Sequence, residues 1–131
     1  MQAADTGFPK AAKLLKPDEF SLVFRVRPWG RSVHFVLYGR HTGEAARLGL
    51  VIGRKYAPRA VSRNVIRRVA REIFRLKRSE FCGWDILLRL RTKVDRKTWP
   101  SASSTAFKAV CNNELEALLI DAMRHHIKRS P

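Results

Sequence analysis

Between Ser32 and Gly39 the chain reads SVHFVLYG, and between Arg47 and Gly53 it reads RLGLVIG. Both runs are short, rich in β-branched, aromatic or leucine side chains, and bounded by glycine or polar residues, so both predict strands. Side chains alternate along a strand, so Leu48, Leu50 and Ile52 share one face of the second run, and Gly49, Val51 and Gly53 share the other. The glycines leave that second face shallow, open to a backbone or a ligand. Thr42-Gly43-Glu44 between the two runs has the residues of a hairpin turn. A third strand is expected at Trp84 to Arg91, where the Ile86-Leu87-Leu88 centre has the unbroken apolar character of a buried strand.

Helical spacing fills the rest. Pro17 and Asp18 open a short helix over about 17–26, with Phe20, Val23 and Phe24 on one side, and Pro28-Trp29-Gly30 end it. A segment opened by Pro58 carries no glycine before Gly83 and predicts a long helix at about 58–79. After a polar loop containing Pro100, a last helix is expected at about 103–127, striped by Phe107, Val110, Leu115, Leu118, Leu119 and Met123. The expected fold is α+β, a compact two-layer α/β sandwich in the order α-β-β-(β or loop)-α-β-α, with helices against a small mixed sheet. The strands before and after the long helix could pair in parallel as a βαβ unit. No repeat or linker divides the chain. One domain is expected over 14–127, between a flexible segment at 1–13 and a frayed tail at 128–131.

Charge changes this picture at the long helix. Ten Lys or Arg residues lie between Arg54 and Arg78, and Glu72 is the one acid among them. At about 100° per residue, Arg63, Arg67, Arg71 and Arg75 advance by only 40° each, with Arg68 and Asn64 in the same arc. Val65, Ile66, Val69, Ile73 and Leu76 gather opposite. A solvated helix face normally mixes signs, with Glu placed four residues before Lys or Arg. This one does not, and like charges at i, i+4 repel. Guanidinium forks bind phosphate bidentately and stack on bases. Asn64 in their midst can meet a base edge or a 2′-hydroxyl. The net charge of +16 on 131 residues also points to a polyanion, while 45% hydrophobic content is too high for a disordered basic tail. No apolar run approaches the roughly 18 residues of a spanning helix, and the N-terminus lacks a signal peptide's apolar stretch, so a cytoplasmic protein is expected. Cys82 and Cys111 form no CxxC pair and read as two ordinary thiols.

The sequence from Lys55 to Arg75, KYAPRAVSRNVIRRVAREIFR, carries the core Arg63-Asn64-x-x-Arg67-Arg68-x-x-Arg71-Glu72-x-Phe74-Arg75. This resembles the signature of the bacterial ribonuclease P protein component. Three further blocks resemble that family in order and spacing: Lys16 to Phe20 with Val23-Phe24; Phe35 to Tyr38 with Leu48 to Lys55; and Asp85 to Leu88 with Arg91. The likeness covers roughly residues 14–92. Arg89 departs from it, standing where apolar residues are usual, as does Pro58-Arg59 in place of small residues. The resemblance implies an accessory subunit of a ribonucleoprotein that removes the 5′ leader of precursor tRNA. It implies that the RNA subunit performs the hydrolysis, with Mg2+ bound mainly by that RNA and the substrate. Its fold would include a left-handed βαβ crossover, against the general right-handed rule. Carried over by position, Arg54, Lys55, Arg59, Arg63, Asn64, Arg67, Arg68, Arg71 and Arg75 would face ribonuclease P RNA. Phe20, Phe24 and Tyr38, with Arg91, would line a cleft for the unpaired leader, where aromatic faces stack on any base.

Two other classes fit less of the chain. A self-sufficient nuclease needs clustered carboxylates or a placed acid–base pair. The 11 acids are scattered and the histidines offer no constellation, so no catalytic or metal-ligating residue is assigned. A ribosomal or other structural RNA-binding protein shares the composition. A helix-turn-helix DNA reader is not expected, because strands flank the basic helix.

Overall fold

The structure is a computed structural model that describes residues 25, 27–95, 97, 99 and 105–127. Phe20, Phe24, most of the expected helix at 17–26, the segment 1–13 and the tail 128–131 lie outside the described residues. The strands are β1 (Gly30–Arg31), β2 (Phe35–His41), β3 (Arg47–Val51) and β4 (Trp84–Leu90). The helices are α1 (Ala60–Lys77), continued by a 3₁₀ turn at Arg78–Phe81, and α2 (Thr105–Ala122), continued by a π-helical turn at Met123–Ile127.

The sheet order is β1-β2-β4-β3, mixed as expected. β4 lies antiparallel to β2, from Phe35↔Leu90 to His41↔Trp84, and parallel to β3, from Arg47↔Asp85 to Val51↔Arg89. The strands on either side of α1 therefore do pair in parallel. The hairpin expected at Thr42-Gly43-Glu44 does not form, because β4 inserts between β2 and β3. The turn's polar backbone finds its partner in the start of β4 instead. Thr42 and Gly43 amides donate to the Gly83 carbonyl at 2.7 and 3.0 Å, and the Gly83 amide donates to the Glu44 carbonyl at 2.7 Å. Gly43 (φ 80°) and Gly83 (φ 95°) both occupy the left-handed region that glycine tolerates.

Two strand boundaries also differ from expectation. The first long strand begins at Phe35 rather than Ser32, and Gly30, read with Pro28 and Trp29 as ending a helix, joins Arg31 in β1 against Leu37 and Val36. The amides of Trp29 and Ser32 donate to Leu37 and Phe35 carbonyls, both at 2.8 Å, closing a tight turn. Trp29 then folds over Gly39. A Cβ there would run into the indole ring, so only glycine fits.

Both helices cover one face of the sheet. Phe35, Leu37, Leu48, Ile86, Leu88 and Leu90 from the strands join one buried cluster with Ile66, Val69, Ile73 and Phe74 of α1 and Phe107, Leu115 and Leu119 of α2. Each such side chain contributes about 1.5–3 kcal/mol by leaving water. Phe74 stacks on Phe81 at 6.0 Å, which fixes the end of α1. Leu76, expected on the apolar arc, is 66% exposed. It lies one turn beyond Ile73, and Phe81 from the 3₁₀ turn fills the core position there instead. Cys111 is buried in the same cluster, and burial together with the Glu114 charge pushes its thiol up to about 12. Cys82 is exposed, and both thiols are free.

Glu114 of α2 fastens the β1–β2 turn. It accepts hydrogen bonds from Ser32 Oγ at 2.5 Å and the His34 amide at 2.9 Å, and His34 Nδ1 lies 2.6 Å from its other oxygen. Burial alone would push this carboxyl up, but the Ser32 and His34 hydrogen bonds outweigh it and hold the group below the usual carboxylate range. A lowered folded-state value stabilises the fold above the unfolded carboxylate range and is lost as pH falls through the lower folded value. Glu114→Gln is therefore expected to lower the urea midpoint at pH 7, with the gap to the parent protein closing as pH drops below about 4. A gap that stays constant with pH would show that the carboxylate charge does not fasten this turn.

Candidate nucleic-acid interface

α1 has a cationic surface because its four i, i+4 arginines cross the exposed side of the helix. At 40° per step the row sweeps roughly 120° from Arg63 to Arg75, so it is a spiral rather than a single stripe. Its first member therefore starts at the edge of the core-facing side. Arg63 Nη1 donates to the carbonyls of Ala57 and Pro58 at 2.8 and 3.0 Å, bracing the helix entrance. Its last member is neutralised: Arg75 Nη2 meets Glu72 Oε2 at 2.6 Å. That hydrogen bond and its charge hold Glu72 below and Arg75 above their ordinary ranges.

The middle of the spiral is different. Arg67 is half-buried, and Arg68, Arg71 and Asn64 are exposed. Arg54 and Lys55 are exposed in the loop before α1. None of these five cations has a carboxylate partner among the described residues. Arg59 is half-buried, and its Nη2 donates to the Trp99 carbonyl. The first turn of α1 carries no acid to oppose an incoming anion.

The second candidate surface is the sheet face turned away from α1 and α2. Strand register arranges it in three rows across β2, β4 and β3: Arg40-Asp85-Arg47, Tyr38-Leu87-Gly49 and Val36-Arg89-Val51. Tyr38 lies in the middle row and is buried, while Gly49 beside Leu87 contributes no side chain there. The Arg89 guanidinium stands 5.8 Å from the Tyr38 ring centroid, a cation–π contact. The departure at position 89 is thereby placed: the arginine is exposed and belongs to the Tyr38 face. Asp85 is 1% exposed, yet it is forked by Arg47, Nε to Oδ1 and Nη2 to Oδ2 both at 3.0 Å, with Arg40 at 3.8 Å. Arg91 donates from Nη1 to the Ser32 and Val33 carbonyls at 2.7 and 3.0 Å, tying the end of β4 to the β1–β2 turn.

The helix thus carries Asn64, Arg67, Arg68 and Arg71 outside its core-facing side, and Arg54 and Lys55 are exposed in the loop before it. Tyr38 and Arg89 stand on the opposite face of the sheet, and Arg91 follows the end of β4. Sequence reasoning missed Arg40, Arg47 and Arg89 as members of the far face. Their signal was the lone acid Asp85 in an apolar strand, which needs cationic neighbours that only the register identifies. Among the described residues, no group of three or more His, Cys, Asp or Glu is placed to hold a metal ion.

A basic α+β protein whose cations outnumber their carboxylate partners along one helix, among the described residues, is a nucleic-acid-facing module in its physical class. Comparison with known proteins narrows that class. The ribonuclease P family model matches residues 8–114, and the chain belongs to this family. It is 64% identical to the ribonuclease P protein component of Paraburkholderia xenovorans (strain LB400) over 126 residues, 96% of this chain and 91% of that one. The corresponding protein of Ralstonia pickettii (strain 12J) is 52% identical over 118 residues, 89% of this chain and 83% of that one. Among solved structures, the Staphylococcus aureus RNase P protein superposes with a TM-score of 0.68 at 27% identity, covering 86% of this chain and 96% of that one. The Thermotoga maritima RNase P protein does so with a TM-score of 0.61 at 28% identity, covering 91% and 97%.

Proposed function

We propose that the chain is the RNA-binding protein subunit of ribonuclease P and aids removal of the 5′ leader from precursor tRNA. The observation that carries this reading is that Arg67, Arg68 and Arg71 of α1 have no carboxylate partner among the described residues, in a chain of this family. Arg67, Arg68 and Arg71 with Asn64 face ribonuclease P RNA, and Arg54 and Lys55 extend the contact. Each phosphate neutralised releases condensed counterions, which drives docking at moderate salt. Arg63 and Arg75 shape that surface more than they contact RNA. Tyr38, Arg91 and, by family position, Phe20 and Phe24 belong to the leader site, where stacking tolerates varied bases. Magnesium acts on the RNA and substrate. The protein works in the cytoplasm; among the described residues, no helix is long and apolar enough to cross a membrane.

The test is leader removal from precursor tRNA by ribonuclease P RNA at low magnesium, with and without the purified protein. Addition is expected to switch cleavage on, and the protein alone is expected to cleave nothing. Cleavage that ignores the protein, or that proceeds without the RNA, overturns the reading.

A further inference from the structure

We propose that the groove between α1 and α2 is a pocket for one unpaired RNA base. The groove encloses about 330 Å3 and is lined by Val61, Asn64, Val65, Arg68 and Val69 of α1 and by Lys108 of α2. Val61, Val65 and Val69 follow one another at i, i+4 and i+8 and make an apolar strip that deepens along the helix. Val61 is 44% exposed at its mouth, Val65 is half-buried, and Val69 is buried at its floor. Asn64 and Arg68 form one rim, and Lys108 forms the other.

Among the described residues, the lining contains no acid. Neither Arg68 nor Lys108 has a carboxylate partner among the described residues. An apolar floor under a rim of two cations and an amide matches a nucleotide better than a phosphate alone. A phosphate would gain nothing from three valines, whereas the flat face of a base would leave water against them. Flanking phosphates then meet Arg68 and Lys108. The Asn64 amide supplies one donor group and one acceptor to a base edge. The volume lies at the lower end of ligand clefts, room for a single base and not for a duplex.

The pocket rests on the RNA-binding reading and adds to it. The open arginine surface grips the backbone, while the pocket captures an individual base, and it brings in Lys108, which lies outside the family signature. The probe is a methyl-resolved NMR titration of the full chain with AMP, UMP and ribose 5-phosphate. AMP or UMP is expected to move the Val61, Val65 and Val69 methyl signals upfield through ring current, and ribose 5-phosphate is not. Lys108→Ala is expected to weaken mononucleotide binding several-fold. Valine signals that stay still, or that respond equally to ribose 5-phosphate, overturn the pocket. Val61→Trp, at an exposed position, is expected to fill the groove. It should weaken assembly with ribonuclease P RNA several-fold while leaving the salt slope unchanged; unaltered assembly counts against the pocket. If the pocket fails while loss of Arg67 and Arg71 still weakens RNA binding, the RNA-binding reading stands. If neither changes RNA binding, both fall.

Discussion

Replacing Arg67 and Arg71 together with alanine is expected to weaken binding to ribonuclease P RNA by roughly 30-fold at physiological salt. Two exposed phosphate contacts at about 1 kcal/mol each give that factor. The log–log salt dependence should also flatten by about two units, roughly one for each phosphate no longer neutralised. Neither guanidinium has a carboxylate partner among the described residues, so removing them leaves no buried charge behind. Stability should move the other way. The two arginines stand at i, i+4 and repel by a few tenths of a kcal/mol, and alanine is the better helix former. The variant should therefore melt no lower than its parent while binding RNA more weakly. Salt titration of RNA binding and a thermal melt of the free protein read the two signs separately. A salt slope that does not change removes these residues from the interface.

The largest stability loss outside the core is expected from Asp85. Its carboxylate is buried in the central strand and forked by Arg47. Breaking one side of a buried ion pair costs about 3–5 kcal/mol. The Arg47 side chain is about a third exposed and can turn to water, so Asp85→Ala should cost nearer ~2–3 kcal/mol. Arg47→Ala leaves the buried carboxylate with Arg40 at 3.8 Å as its remaining ion-pair partner among the described residues and should cost at least as much. Replacing both residues should cost less than the sum of the single changes, because the second change removes the charge that the first left unpaired. Urea unfolding with an unchanged m-value measures all three. A loss below about 0.5 kcal/mol for Asp85→Ala would mean that the fork contributes little.

Elements whose periodicity is long and unbroken were legible in the chain. α1, α2 and β4 lie close to where spacing and apolar runs placed them. What escaped was everything set by pairing between distant segments. The Thr42-Gly43-Glu44 turn has hairpin residues, but its hydrogen bonds go to Gly83, and no local pattern reveals a strand that arrives from forty residues later. Gly30–Arg31 forms a strand only because Trp29 crosses Gly39 and hydrogen bonds to Leu37 are available. The cationic surface was legible in kind but not in detail. Counting charges identified the helix, yet the 40° drift hides the fact that Arg63 braces the helix entrance and Arg75 is held by Glu72. Lys108 was invisible as a partner of α1, because spacing within one helix says nothing about the helix packed beside it.

The place of β4 in the middle of the sheet bears on how a nascent chain acquires this shape. As the polypeptide leaves the ribosome, β2 and β3 have no ladder to share, so neither gains a neighbour from the other. The arginine helix is then translated in full while the strands it must cover are still apart. Only when residues 84–90 emerge can both ladders close, and they close in one event. Such non-local pairing slows folding. Until β4 arrives, the most cationic stretch of the molecule is exposed to cellular polyanions without a scaffold behind it.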